Sequence, residues 1–310
     1  MYFPLLRGKQ YELLGLKEFA EKNSGNKWLF PIIEPVRVLP DALLRTAGVL
    51  SRNSIPYSVI LNPERGDFAI PTNRFAISEF LDRFENFEVK PVPAFYTDGK
   101  YEEILADIQE AGLQDVMLIF EESFDIEKAD RICNCPEVSY IVCSSVDSRS
   151  TKRFLKQTGK KIVRLDDNFI VRKPNSAYRG IDEDPYTEEC FYYGDDDFYG
   201  FSDYCVLPKE FVEGGTTPTA IAIHMTYRKR KDSIWVRHFV SDEGCDRLDV
   251  RSKFGSAVEH LVTFYSSSAP QTDAAQWIID NSGSYPGLGV LKKITMLNHI
   301  QLITNILAAL

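Results

Sequence analysis

The chain has 310 residues, 44% of them hydrophobic and 26% charged, with a formal net charge of −9. This is an ordinary globular composition, long enough to bury a barrel-sized core without disulfide or metal staples, and it excludes a disordered or fibrous protein. The negative charge argues against broad nucleic-acid binding, which needs a positive surface, and no apolar stretch approaches the roughly 18–20 residues that span a bilayer.

In chain order, short apolar, β-branched runs recur at residues 2–6, 29–34, 57–62, 89–96, 116–121, 138–143 and 161–166. The gaps between them are mostly filled by helix-compatible stretches. The first, 10–23, carries Leu13, Leu14, Leu16, Phe19 and Ala20 as one helical stripe. Further helices are predicted over 41–51, 73–84 (with Thr72 as N-cap), 100–111 (closed by Gly112), 126–133 and 148–157 (closed by Gly159). An eighth strand is expected at 201–207 or at 220–227. Strand–helix alternation at this spacing predicts parallel strands with helical crossovers, and eight units predict an α/β fold, a closed (β/α)8 TIM-like barrel. Pro4, Pro31, Pro91 and Pro93 lie inside the strand runs and count against it, because proline cannot donate in a central ladder.

After Asp167 the rhythm breaks. Residues 168–200 hold eight aromatic side chains among several acids, an insertion expected either to fold over one mouth of the barrel or to pack as a structural element. Two alternating runs, 219–227 and 234–241, read as a β-hairpin with Arg228, Lys229, Arg230 and Lys231 at its tip. Helices follow at 251–266, 273–281 and 289–310; the last is so apolar that it must bury itself on the barrel or in a homo-oligomer interface. The expected organisation is a barrel domain over 1–266, carrying the insertion and hairpin, and a helical extension over 267–310. The opening segment MYFPLLRGK enters a strand directly and lacks the features of a secretory signal, so a cytoplasmic protein is expected. Six cysteines without framework spacing then read as free thiols, and the lone pair Cys133 and Cys135 does not make a zinc motif.

A barrel of this kind gathers its functional groups at the C-terminal ends of the strands. Those positions hold Arg7 and Lys9, Glu34, Asn62 with Glu64 and Arg65, Tyr96, Glu121 with Glu122, Ser144, Asp166 with Asp167, and Asp203 with Tyr204. Glu34, Glu121, Asp166 and Asp203 are candidate catalytic acids, since neighbouring carboxylates push their pKa values apart or hold a divalent metal through oxygen. Arg7, Lys9, Asn62, Tyr96 and Tyr204 are candidate ligand-binding groups. The alternative is that polar residues collect at strand ends simply because solvent begins there. The second constellation is His224 and His238. A hairpin pairing Tyr227 with Ile234 puts His224 opposite Arg237 and diagonal to His238, roughly 7–8 Å away. With Tyr227 and Arg237, the two imidazoles could handle a phosphate, or each could be a hydrogen-bonded sheet residue. Phosphate-loop, dinucleotide-binding, nucleophile-elbow and zincin motifs do not occur in the sequence.

Three short segments resemble the Beta protein family of phages and satellite phages. They are Pro4-Leu5-Leu6-Arg7-Gly8-Lys9 followed by Glu12 and Leu13, Pro31-Ile32-Ile33-Glu34, and Gly200-Phe201-Ser202-Asp203-Tyr204. The wording Gly-Phe-Ser-Asp-Tyr, Ala-Ile-His-Met-Thr-Tyr and His-Phe-Val-Ser-Asp is closer to a sister group of bacterial proteins encoded beside a small companion protein. The likeness spans most of 1–242, although the 168–200 insertion and two-histidine hairpin are not part of the general pattern. It implies a component of an anti-phage defence module that works with the companion and recognises a ligand or partner at the barrel mouth. The acids and histidines motivate the other expectation, a hydrolase, with or without a metal, acting on a phosphate-containing small molecule or nucleic acid.

Overall fold

The computed structural model describes residues 1–214 and 218–310 and divides them by contact into two compact units. The first comprises residues 1–167 and 192–204, the second 168–191 and 205–310. The boundary drawn from the sequence fell at 266 instead, because the hairpin was counted with the barrel. In the structure it belongs to a separate sheet.

In the first unit, β1 (Leu5–Leu6), β2 (Ile32–Ile33), β3 (Ser58–Ile60), β4 (Val92–Tyr96), β5 (Val116–Phe120), β6 (Val138–Cys143) and β7 (Lys161–Leu165) pair in parallel in sequence order. The second unit supplies β8 (Glu183–Thr187). The eighth barrel strand is β9 (Gly200–Ser202), parallel to β7. Tyr2 bridges to both Leu29 and Phe201, and the Phe3 amide donates to the Phe201 carbonyl at 2.8 Å, bringing the first strand against the last. The eight strands and their alternating helices thus form a nearly closed (β/α)8 TIM-like barrel. The prolines show up as shortness: β1 and β2 are two residues each, and Pro4 and Pro31 contribute only carbonyls, to Ile32 and Ser58.

Alternate residues along the strands build one buried cluster, including Phe3, Leu5, Phe30, Ile32, Ile60, Met117, Ile119, Val163 and Leu165. Helices Gln10–Lys22, Asp41–Arg52, Tyr101–Glu110, Ile126–Cys133 and Arg149–Gln157 fall close to their predicted spans. Ser148 caps the last of these by accepting from the Thr151 amide, and Gly112 and Gly159 follow their helices in the left-handed region. The exception is the third helix, which starts at Ile77 rather than at Asn73. A 3-10 turn at Gly66–Ala69 precedes it, and Asn73 donates its side chain to the Asp67 carbonyl instead of entering the helix.

In the second unit, β10 (Ala222–Arg230) and β11 (Ser233–Val240) form the hairpin, and β8 joins β11 antiparallel. The alternative that 220–227 closes the barrel is therefore overturned. Sheet alternation puts Thr226 and Tyr227 on opposite faces. Thr226 meets Asn298 and His299 of the helix Leu288–Ala309, whereas the Tyr227 ring packs edge-on to Phe264 of the helix Val250–Ser267. Leu297, Ile300, Leu302, Ile303, Ile306 and Leu307 are all buried within the chain. Among the described residues, no helix is long and apolar enough to cross a membrane.

Candidate functional sites

Counting in twos from the barrel interior leads to the mouth. The inward series Phe3–Leu5 continues to Arg7, Phe30–Ile32 to Glu34, and Met117–Ile119 to Glu121. Tyr96 ends the series from Ala94. These side chains meet Arg65, which comes from the loop after β3. Arg7 donates to Glu34 Oε2 at 3.0 Å, to the Tyr96 hydroxyl at 2.6 Å and to Glu121 Oε1 at 2.7 Å. Arg65 donates to Glu34 Oε2 at 3.1 Å and Glu121 Oε2 at 2.6 Å. Tyr96 donates to Glu34 at 3.0 Å and Tyr204 to Glu121 at 2.8 Å. Arg65 also lies over the Tyr96 ring and Arg7 over the Tyr204 ring, at 5.0 and 5.2 Å.

Two guanidiniums thus hold two carboxylates in a lattice whose formal charge is zero. Burial alone would raise the Glu121 carboxyl, but Arg7 and Arg65 overcome it and hold Glu121 below the usual range. Burial opposes the charge on Arg7 too, and Tyr96, Glu121 and Glu34 keep it firmly protonated. Burial, with the adjacent carboxylates, raises both tyrosine hydroxyls, so Tyr96 and Tyr204 remain donors.

Each arginine is followed by a glycine with a positive φ, Gly8 (+58°) and Gly66 (+65°). A Cβ at Gly8 would meet the Glu34 carbonyl oxygen at 2.5 Å, and one at Gly66 the Val36 carbonyl oxygen at 2.3 Å. Two Arg-Gly steps therefore press their loops against the chain that follows β2. An Arg-Gly step just behind a barrel strand run, shared by Arg7-Gly8 and Arg65-Gly66 but not by Arg179-Gly180, was the signal in the sequence that could have singled out Arg65.

The other strand-end residues go elsewhere. Asp166 and Asp203 have the opposite parity from the inward series. Asp166 accepts from Arg164 Nε at 3.0 Å and Asp203 from the Tyr2 hydroxyl at 2.6 Å. Burial and the nearby Asp203 raise the Asp166 carboxyl. Asn62 uses its side-chain amide as a substitute ladder, donating to the Tyr96 carbonyl at 2.7 Å and accepting from the Tyr96 amide at 2.9 Å. Lys9 sits at the N-cap position of the helix Gln10–Lys22, and its charge acts on Glu12. Among the described residues, no three His, Cys, Asp or Glu side chains gather to hold a metal ion, and the mouth carboxylates already face guanidiniums.

The histidines lie closer together than the sequence suggested. A bulge between Arg228 and Arg230 shifts the hairpin register, so Tyr227 pairs with Trp235 and His224 with His238. The one-residue slip takes Arg237 away from the face of His224 and onto that of Tyr227, where both bond Glu183. His224 Nδ1 lies 2.8 Å from His238 Nδ1, and His238 Nε2 lies 2.9 Å from Asp184 Oδ2. Arg172 grips Asp184 with contacts of 2.5 and 3.1 Å, and the Tyr178 ring packs against both imidazoles.

The proton positions follow from this chain. Burial favours a protonated Asp184, but Arg172 and His238 prevail and keep it ionised, so it can only accept. His238 Nε2 must carry a hydrogen. Burial depresses both imidazoles, His224 to about 3 with His238 adding to the effect, so each ring is neutral. His238 Nδ1 is then bare and accepts the hydrogen of His224 Nδ1, which leaves the lone pair of His224 on Nε2. Arg172 and Asp184 were missed because both fall in the 168–200 insertion, where residues 183–187, with two acids and Pro185, read as loop. Cys133, Cys135, Cys143 and Cys245 are free thiols.

No family model matches the chain, and no curated protein matches it.

Proposed function

We propose that the chain is a recognition protein, with the strand-end mouth of its barrel as the binding surface, rather than a catalyst at that mouth. The lattice at the mouth carries this reading. Glu34 and Glu121 each face both arginines and a tyrosine hydroxyl. A general acid–base pair needs one carboxyl raised and aimed at substrate, and the pairing of Glu121 works in the other direction. A rigid, neutral arrangement of donors and acceptors suits recognition by shape and hydrogen bonding. Following the resemblance to Beta proteins, we place this role in an anti-phage defence module, with a small companion protein as the partner.

The Asp184–His238–His224 relay favours a second reading, a hydrolase that acts on a phosphate-containing substrate through His224 Nε2. Phage-protection assays separate the two. Arg65→Met, which alters the exposed side of the mouth, is expected to abolish protection, and His224→Asn to retain it. The opposite pattern would replace the recognition reading with the hydrolase. Co-elution with the companion in size-exclusion chromatography is the accompanying test of partnership, and separate peaks count against it.

A further inference from the structure

The first unit contains a cleft of about 420 Å³ on the outer side of the barrel, between residues 73–78 and the helix Tyr101–Glu110. Its size falls in the range of small-molecule sites. Leu61, Phe68 and Ile104 contribute apolar surface, and Phe75 and Ile77 add more from the 73–78 segment. Phe68 and Ile104 are buried, and the Phe75 ring is fixed between Phe68 and Phe80, at 4.6 and 4.0 Å.

Acidic and basic groups line opposite walls of this cleft, apart from Lys100 at the start of the acidic helix, which is paired with Glu64 at 2.5 Å. Glu103, Asp107 and Glu110 recur at i, i+4 and i+7, which puts three carboxylates on one face of the helix. Arg74 lies on the other wall, close enough for its charge to act on Asp107. Among the described residues, the side chains of Arg74, Glu103, Asp107 and Glu110 make no hydrogen bond or ion pair with a neighbour. Burial, Glu103 and Glu110 together raise the Asp107 carboxyl, with Arg74 partly opposing them. A cation arriving beside Asp107 would relieve that repulsion, and an anion arriving beside Arg74 would supply the partner it lacks.

We propose that this cleft binds a zwitterion with an apolar body, an α-amino acid with a large hydrophobic or aromatic side chain. The ammonium would meet Asp107 and Glu103, the carboxylate would meet Arg74 in the bidentate manner guanidinium favours, and the side chain would lie on Phe68, Phe75 and Ile104. Neither a plain anion nor a plain cation uses both walls. This site is independent of the lattice at the mouth.

Isothermal titration of the full chain with free L-tryptophan and L-phenylalanine tests the assignment, using N-acetyl-tryptophan and tryptophan amide as probes lacking one charge each. The free amino acids are expected to bind, and removing either charge to weaken binding about tenfold or more. Arg74→Ala should reproduce the loss seen with the amide, and Asp107→Asn the loss seen with the acetylated form. Both residues are accessible, and circular dichroism checks that each variant folds. Absence of binding at millimolar concentration, or equal binding of all four probes, would overturn the proposal.

Discussion

His224 and His238 face each other across the β10–β11 ladder with their Nδ1 atoms 2.8 Å apart, so one hydrogen serves two rings. Burial opposes a second proton on either ring. On His238 it would also land on Nδ1 and set N–H against N–H, with Arg172 and Arg237 adding to the cost. On His224 it would land on Nε2, opposed by His238 and Arg172. The folded state therefore binds fewer protons than the unfolded chain, whose histidines titrate near their ordinary value of about 6.5. Stability from this pair is complete above that pH and falls as pH drops through it. Each ring loses about 1.4 kcal/mol per pH unit until its folded pKa, about 3 for His224, is reached. Hydrogen exchange of β10 and β11 amides between pH 7.5 and 5 should show this decline, and His224→Phe should flatten it. An unchanged slope in the variant would refute the shared hydrogen.

The rhythm of the barrel was legible because parallel strands covered on both faces read as continuous apolar runs. Its seam was not, since β9 is only three residues long and opens on Gly200. Strand-end position brought Arg7, Glu34, Tyr96, Glu121 and Tyr204 to notice along with Asp166 and Asp203. Only the inward series of every second residue divides the first group from the second. A bulge leaves no mark in the sequence, so the hairpin register was misread by one residue, enough to exchange Arg237 for His238 as the partner of His224.

Arg7 and Arg65 reach the same carboxylates from unequal environments. The Arg7 side chain is 6% exposed, whereas that of Arg65 is 21% exposed. Arg7→Met leaves Glu34 and Glu121 buried with one guanidinium fewer, a loss expected to cost about 3–5 kcal/mol. Arg65→Met should cost less than half as much, because water can approach where the side chain stood. Urea denaturation of both variants gives the comparison, and equal losses would contradict the inner and outer roles assigned here.

Gly200 tests the closure of the barrel. A Cβ there would lie 2.5 Å from the Met1 carbonyl oxygen and 2.5 Å from the Phe3 ring. Gly200→Ala must push the first strand from the last, at a cost of about 1–3 kcal/mol. The amides of Phe3 and Leu5, which donate to Phe201 and Asp203, should lose exchange protection before those of β5 and β6. Uniform loss across the sheet would mean that the seam is no weaker than the rest.

Gly66 separates the position of Arg65 from its charge. Its φ of +65° and the Val36 carbonyl oxygen, 2.3 Å from where a Cβ would sit, both exclude a side chain. Gly66→Ala keeps every charged group of the lattice but shifts the loop that carries Arg65, at a cost of about 1–3 kcal/mol. If recognition depends on where the guanidinium is held, Gly66→Ala should impair phage protection nearly as much as Arg65→Met while Gly25→Ala does not. Gly25 has a similar φ of +71° but nothing within 4 Å of its added Cβ, so it controls for backbone strain alone. Protection retained by Gly66→Ala, with the protein folded, would show that the lattice tolerates displacement and that the mouth is not read by its geometry.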